Sequence, residues 1–262
     1  MGIIYVDELM VTAKRIEKIE KRNFMKAIIL AAGMGKRLQD VSGGLPKSII
    51  KVGEKSIIHN QIESCKKAGI DKFVFVVGYK GKQLQEHILE VCTTEEAVFV
   101  ENPVYDTTNT LYSLYLCREH FDEDFIYFNG DVMFQSKLLD LIVKPSSHSQ
   151  LLLETKSCAE EEVKMVVDEN NRVVEIGKEL PVSRCAGEFI GIAKFNQDIL
   201  PEFQKALEQS IAMNQENNYF EFAVDILAKN VFLEAVPTQG IPCLEIDFPE
   251  DLQMAREMFK KE

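Results

Sequence analysis

The chain has 262 residues, 46% hydrophobic and 27% charged, a composition that suits one large α/β domain with a sizeable core. Its formal net charge is −12, which excludes a general electrostatic attraction to nucleic acid or an anionic membrane but leaves room for a local anion pocket. No apolar run reaches the roughly 18–20 residues of a membrane span, and residues 1–24 lack the apolar stretch of a secretory signal.

Residues 8–22 are charged, with apolar residues at roughly helical spacing, and read as a leader helix or a disordered extension. From residue 25 the pattern becomes that of a domain running to residue 262. Residues 26–31 form a short continuous apolar run, the mark of a strand buried on both faces. A glycine-containing loop follows. Residues 56–69 have helical spacing, with Ser56 as N-cap and Gly69 as the stop. Strands are predicted at 72–77, 97–101 and 125–129, and helices at 81–91, 109–120 and 136–143. This alternation predicts a doubly wound, mixed but mostly parallel sheet. After residue 149 the rhythm changes. Strands at 150–154, 163–168, 172–176 and 188–195, with short turns, predict a small antiparallel section on the acceptor side. Helices at about 198–213 and 219–229, a strand at 231–236 and a helix at about 250–261 close the chain.

The six cysteines show no C-x-x-C spacing and the four histidines no metal-binding spacing. The cysteines read as small core residues of a reduced, cytoplasmic protein.

Three segments carry chemistry. In the first, a strand runs into Leu30, Ala31, Ala32, Gly33, Met34 and Gly35, followed by Lys36 and Arg37, with Pro46-Lys47 downstream. Small residues let backbone N–H groups approach a triphosphate, and the cations Lys36, Arg37 and Lys47 neutralise its charge as pyrophosphate leaves. A dinucleotide fingerprint is excluded because Leu38 stands where its third glycine is needed, and no Walker A spacing occurs. In the second, Gly130-Asp131 ends a buried strand, and Asp247 lies near the C-terminus. Two carboxylates from separate segments suit Mg²⁺, which prefers carboxylate oxygens together with substrate phosphates. Asp247 can also cap the last helix, which does not exclude a ligand role. In the third, Thr108, Asn109 and Ser113 cluster at a helix start. There they either cap the helix or read a base or ribose.

The run LAAGMGKRL…LPK resembles the signature of the sugar-nucleotidyltransferase superfamily, over about residues 25–258. The resemblance implies a Rossmann-like nucleotide-binding sheet with an acceptor-binding lid. It also implies a reaction: an acceptor phosphoryl oxygen attacks the α-phosphorus of an NTP and displaces pyrophosphate. Arg37 and Lys47 match the family's phosphate-binding cations, Asp131 and Asp247 its metal-binding aspartates. The segment around Thr108, Asn109 and Ser113 departs from the Q-x-x-P-x-G-L-A pattern of hexose-1-phosphate thymidylyltransferases. It is similar to the N-[NT]-x-Y-S segment of cytidylyltransferases acting on phosphocholine and aminoethylphosphonate, which implies CTP. Gly78-Tyr79 matches that branch's turn near the base.

Lys178 matches the superfamily lysine that holds the acceptor phosphate, and Glu188 is a candidate for a cationic or hydroxyl group of the acceptor. Tyr105, Tyr112, Tyr115, Tyr219 and Phe220 are candidates for an aromatic cage, although tryptophan, the best cage residue, is absent. The sequence therefore reads as a CTP-dependent cytidylyltransferase, with Mg²⁺ as cofactor. Its acceptor is phosphocholine, aminoethylphosphonate, an amino acid phosphate or a polyol phosphate. The alternatives are a sugar-1-phosphate nucleotidyltransferase using UTP, dTTP or GTP, and a non-catalytic nucleotide-binding domain. A homodimer stays open.

Overall fold

A computed structural model describes residues 25–260. The leader expected over residues 1–24 lies outside the described residues. β1 (Met25–Ala31) is buried along its whole length. A loop with one helical turn, α1 (Gln39–Ser42), leads to a small hairpin of β2 (Lys51–Val52) and β3 (Lys55–Ser56). α2 (Ile57–Lys67) follows, with Ser56 Oγ accepting the His59 N–H at its start. Next come β4 (Phe73–Val77), α3 (Gly81–Ile88), β5 (Ala97–Glu101), α4 (Thr110–Leu116), β6 (Asp124–Asn129) and β7 (Val132–Phe134). The second half holds β8 (Ser149–Glu154), β9 (Lys164–Val167), β10 (Val173–Gly177), β11 (Gly187–Phe195), α5 (Leu200–Ala212), α6 (Glu221–Ala228), β12 (Leu233–Pro237), β13 (Cys243–Glu245) and α7 (Pro249–Met258).

Strands β6, β1, β4 and β5 pair in parallel in that spatial order, as the alternating first half predicts. β11 joins antiparallel to β6 and carries β8 and β9, also antiparallel, so the acceptor-side strands extend the same nine-stranded sheet. β12 returns parallel to β8. Alternation along each strand sends side chains to two faces. Ile28, Leu30, Val74, Val76 and Tyr127 meet Leu111, Leu114, Phe203 and Val224 on one side. Ala27, Ile29, Phe73, Phe75 and Phe128 meet Ile58, Ile62, Leu84 and Ile88 on the other. Helices therefore cover both faces, and each fully buried Ile or Phe contributes about 1.5–3 kcal/mol.

Two local readings change and one element pair is new. The helix expected over 109–120 ends at Leu116, and the chain continues in a 3₁₀ turn at Arg118–His120. The segment at 136–143 is a 3₁₀ helix, Ser136–Leu141. β7 and β13, each three residues long, pair antiparallel without any periodic signal in the sequence. A third apolar cluster, with Leu38, Ile50, Met133, Ile246 and Leu252, lies beside that pair and fixes the approach of α7. Among the described residues, no helix is long and apolar enough to cross a membrane.

Candidate active site

The carboxyl ends of β1 and β6 face the β7–β13 pair across a cavity of about 290 Å³. Ligands of open α/β sheets bind in the crevice at such strand ends. Leu30, Ala31, Gly33, Gly35, Arg37 and Lys47 line one side, and Gly130, Asp131, Glu245 and Asp247 line another. Met34 and Lys36 line an adjoining opening with Gly35 and Arg37. Gly35 has φ +57°, and a Cβ there would lie 2.8 Å from the Lys47 Cβ. Only glycine lets the loop turn while Lys47 passes beneath it.

Lys47 organises the charges. Its ammonium bonds Asp131 Oδ2 at 2.8 Å and also bonds Asp247 Oδ1. Burial by itself lowers the pKa of this ammonium; the two carboxylates outweigh that effect and leave it raised. Asp247 is desolvated as well, yet Lys47 holds its carboxyl below the usual range. Asp247 is therefore not the cap of α7. Asp251 Oδ2 takes that role, accepting the N–H groups of Asp247 and Phe248 at 2.9 and 2.8 Å. Arg37 stands more open, its guanidinium 4.6 Å from the Phe248 ring centre and 4.0 Å from Asp247 Oδ2.

This donor set suits a divalent cation. Two carboxylates from different chain segments converge on one point, and Asp131 Oδ1 is buried without a hydrogen-bond partner among the described residues. Glu245 stands beside them, with Oε1 accepting from Asn129 Nδ2 at 3.1 Å. Desolvation, then the Asp131 charge, push its carboxyl well above the ordinary range. A separate grouping, His59, His87 and Glu90, is brought together between α2 and α3. The two imidazoles stack flat at 3.9 Å, so their nitrogen lone pairs run in parallel planes and do not converge on one ion.

Toward the antiparallel strands, Lys178, Tyr219, Glu221 and Val163 line the same cavity and open into a second one of about 530 Å³. The Lys178 ammonium sits 4.1 Å from the Tyr219 ring centre. Its main-chain carbonyl is held at 2.6 Å by the buried Lys164 ammonium, which also bonds the carbonyls of Glu160 and Glu162. Glu221 is 3% exposed, and its Oε2 has no partner among the described residues. Burial pushes its carboxyl up to about 7.

Most of the residues expected from sequence come together here, but not all. Ala32, Thr108, Asn109 and Ser113 line a niche of about 70 Å³ behind the glycine loop. Gly78 and Tyr79 buttress that loop from outside the cavities: the Tyr79 N–H bonds the Ala32 carbonyl at 2.9 Å and its hydroxyl the Gly44 carbonyl at 3.1 Å. Glu188 does not line these cavities. It is paired with Lys156 at 2.7 Å, and burial raises its carboxyl despite that partner. Of the aromatic candidates, Tyr219 and Tyr105 reach the cavities. Phe220 is buried against Tyr127, and Tyr112 stacks with Tyr115. Sequence reading assigned no role to Asn129, Glu221 or Glu245. Glu221 reads as an ordinary helix residue, and nothing in its neighbours marks it.

The nucleotidyl transferase family model matches residues 26–221, most of the chain. The chain belongs to the nucleotidyl transferase family. Among curated relatives, this nucleotidyl transferase is 26% identical to the CTP:phosphoglutamine cytidylyltransferase of Campylobacter jejuni, covering 88% of this chain and 98% of that one. It is 25% identical to the choline-phosphate cytidylyltransferase of Streptococcus pneumoniae, covering 91% and 100%. Among solved structures it is similar to the inositol-1-phosphate CTP transferase of T. maritima, with TM-score 0.76 and 25% identity over 90% of this chain and 95% of that one.

Proposed function

We propose that this nucleotidyl transferase is a cytidylyltransferase that moves CMP from CTP onto a small phosphate or phosphonate acceptor bearing a cationic group. The relatives named above, two described with CTP and the third as a cytidylyltransferase, support the nucleotide. The observation that carries the acceptor class is Glu221: a buried carboxyl whose Oε2 has no hydrogen-bond partner among the described residues, lining both cavities together with Tyr219. An ammonium head there would pair with the carboxylate and lie against the ring. The acceptors that meet this description are phosphocholine, 2-aminoethylphosphonate and an amino acid phosphate. A polyol phosphate would offer Glu221 hydroxyl donors but no countercharge.

The residues divide the work. The glycine loop presents backbone N–H groups to the triphosphate. Arg37 and Lys36 face its outer phosphates from the open side, and Lys47 faces the α-phosphate from beneath the loop. Lys178 holds the acceptor phosphate, already an oxyanion, in line with the α-phosphorus. That oxygen forms the new P–O bond as the bond to pyrophosphate breaks, so no covalent enzyme intermediate is needed. Asp131 and Asp247 would hold a divalent cation, magnesium in this reading, which supplies charge neutralisation at the phosphates. All substrates are soluble small molecules, in keeping with a cytoplasmic enzyme.

The test is turnover with CTP across an acceptor series: phosphocholine, 2-aminoethylphosphonate, an amino acid phosphate, an inositol phosphate and glucose-1-phosphate. Amine-bearing acceptors are expected to lead in kcat/KM by about tenfold or more, and Glu221→Gln to erase that lead. Turnover of glucose-1-phosphate with dTTP or UTP, and none with CTP, would overturn the reading.

A further inference from the structure

Thr108 and Ser113 present two hydroxyls to the niche behind the glycine loop. A hydroxyl can give or take a hydrogen bond, so by itself it cannot tell one pyrimidine from another. Asn102, at the end of β5 and 1% exposed, removes that freedom. Its Oδ1 accepts the Val104 backbone N–H at 3.1 Å. A main-chain N–H only donates, so this bond fixes which end of the amide is oxygen. Nδ2 then spends both protons, on Thr108 Oγ1 and Ser113 Oγ, at 3.1 Å each. Thr108 sends its own proton to the Val104 carbonyl at 2.8 Å, the shortest bond to that oxygen. One lone pair remains on Thr108, which toward the niche acts only as an acceptor. Ser113 accepts from Asn102, and its proton has no acceptor among the described residues.

We propose that Asn102 sets the polarity of these two hydroxyls so that the niche reads a pyrimidine edge as cytosine. The inference rests on the cytidylyl reading above and deepens it. Cytosine offers an exocyclic amine beside a ring nitrogen with a free lone pair. Thr108 accepts from the amine, and Ser113 donates to the ring nitrogen. Uracil carries a carbonyl in place of the amine and an N–H in place of the lone pair. Ser113 can turn to accept from that N–H. Thr108 can turn to the uracil carbonyl only by breaking its 2.8 Å bond to the Val104 carbonyl; held as it is, it faces that carbonyl with a lone pair and both groups lose their bonds. A site built this way discriminates through the polar group it leaves unpaired. Asn102 touches no substrate in this scheme; it is a positioning residue for Thr108 and Ser113.

The experiment is the ratio of kcat/KM for CTP to that for UTP, at one saturating acceptor, in the wild type, Asn102→Asp and Thr108→Val. An aspartate at 102 takes the Ser113 proton and turns that hydroxyl into an acceptor. Valine at 108 removes the acceptor for the amine. Both variants are expected to lower the ratio about tenfold or more. Thr108 is only half-buried, so its variant remains informative if Asn102→Asp fails to fold. A wild type that prefers CTP, with the ratio unchanged in Thr108→Val and in any folded Asn102→Asp, would overturn the proposal while leaving the cytidylyl reading in place. A wild type with no preference for CTP would overturn both.

Discussion

Lys47 neutralises two carboxylates that would otherwise face each other across the cavity. Lys47→Met keeps the apolar stem and removes the charge. We expect kcat to fall by about 10²–10³, the usual range for loss of a preorganised group opposite developing charge. The metal-free variant should also melt below the wild type and regain more than the wild type on adding magnesium, which differential scanning calorimetry would show. Lys47→Arg should rescue poorly, because a planar fork does not replace a point charge under Gly35. Glu221 gives a second test. Its folded-state pKa of about 7 exceeds the ordinary value of 4.5, so between those values the folded protein binds the extra proton. Stability from this group is complete below about pH 4.5 and is lost as pH rises through about 7. The drop in thermal midpoint between pH 5 and pH 8 should therefore be smaller in Glu221→Gln than in the wild type; equal drops would contradict a buried carboxyl raised by desolvation.

The elements that aim these side chains differ in how plainly the sequence shows them. β1, its glycine loop and the turn at Gly130-Asp131 are legible because a buried strand followed by small residues and a carboxylate is a local pattern. The pairing of β7 with β13 is not. Each has three residues, too short for a period, and the contact joins chain segments far apart, as in the bond from Asn129 to Glu245. Glu221 stayed hidden for a related reason: its burial comes from the packing of α6, while its own neighbours look like any amphipathic helix. Glu188, a candidate for the acceptor's cationic or hydroxyl group, has a partner that sequence could not show, since Lys156 comes from a distant segment and pairs with it at 2.7 Å. Gly191 tests the long-range arrangement. It has φ +71° at the irregular point of β11, and a Cβ there would lie 2.7 Å from both Asn129 Nδ2 and Glu245 Oε1. Gly191→Ala should lower the thermal midpoint and displace Glu245, with kcat falling well beyond what the stability loss explains. Wild-type turnover in this variant would show that the Asn129–Glu245 contact does not matter to the site.

At the scale of the whole molecule, the sheet forms a base for two substrates. The parallel strands end in the glycine loop and the Asp131 turn, and the antiparallel extension through β11, β9 and β10 carries Lys178 and the wall of the second cavity. In the proposed function, donor nucleotide and acceptor would meet where the two kinds of pairing join, in a chain whose net charge of −12 would otherwise repel both. The local cations Lys36, Arg37, Lys47 and Lys178 offset that repulsion at the site. The central claim is that the bond broken lies at the α-phosphorus. CTP labelled with ³²P at the α-position, or separately at the γ-position, should be incubated with magnesium and an amine-bearing phosphate, and the products separated. The account predicts that α-label appears in the acceptor product and γ-label in pyrophosphate. Label from the γ-position in the acceptor, or α-label released as free CDP or CMP as the acceptor is consumed, would contradict it.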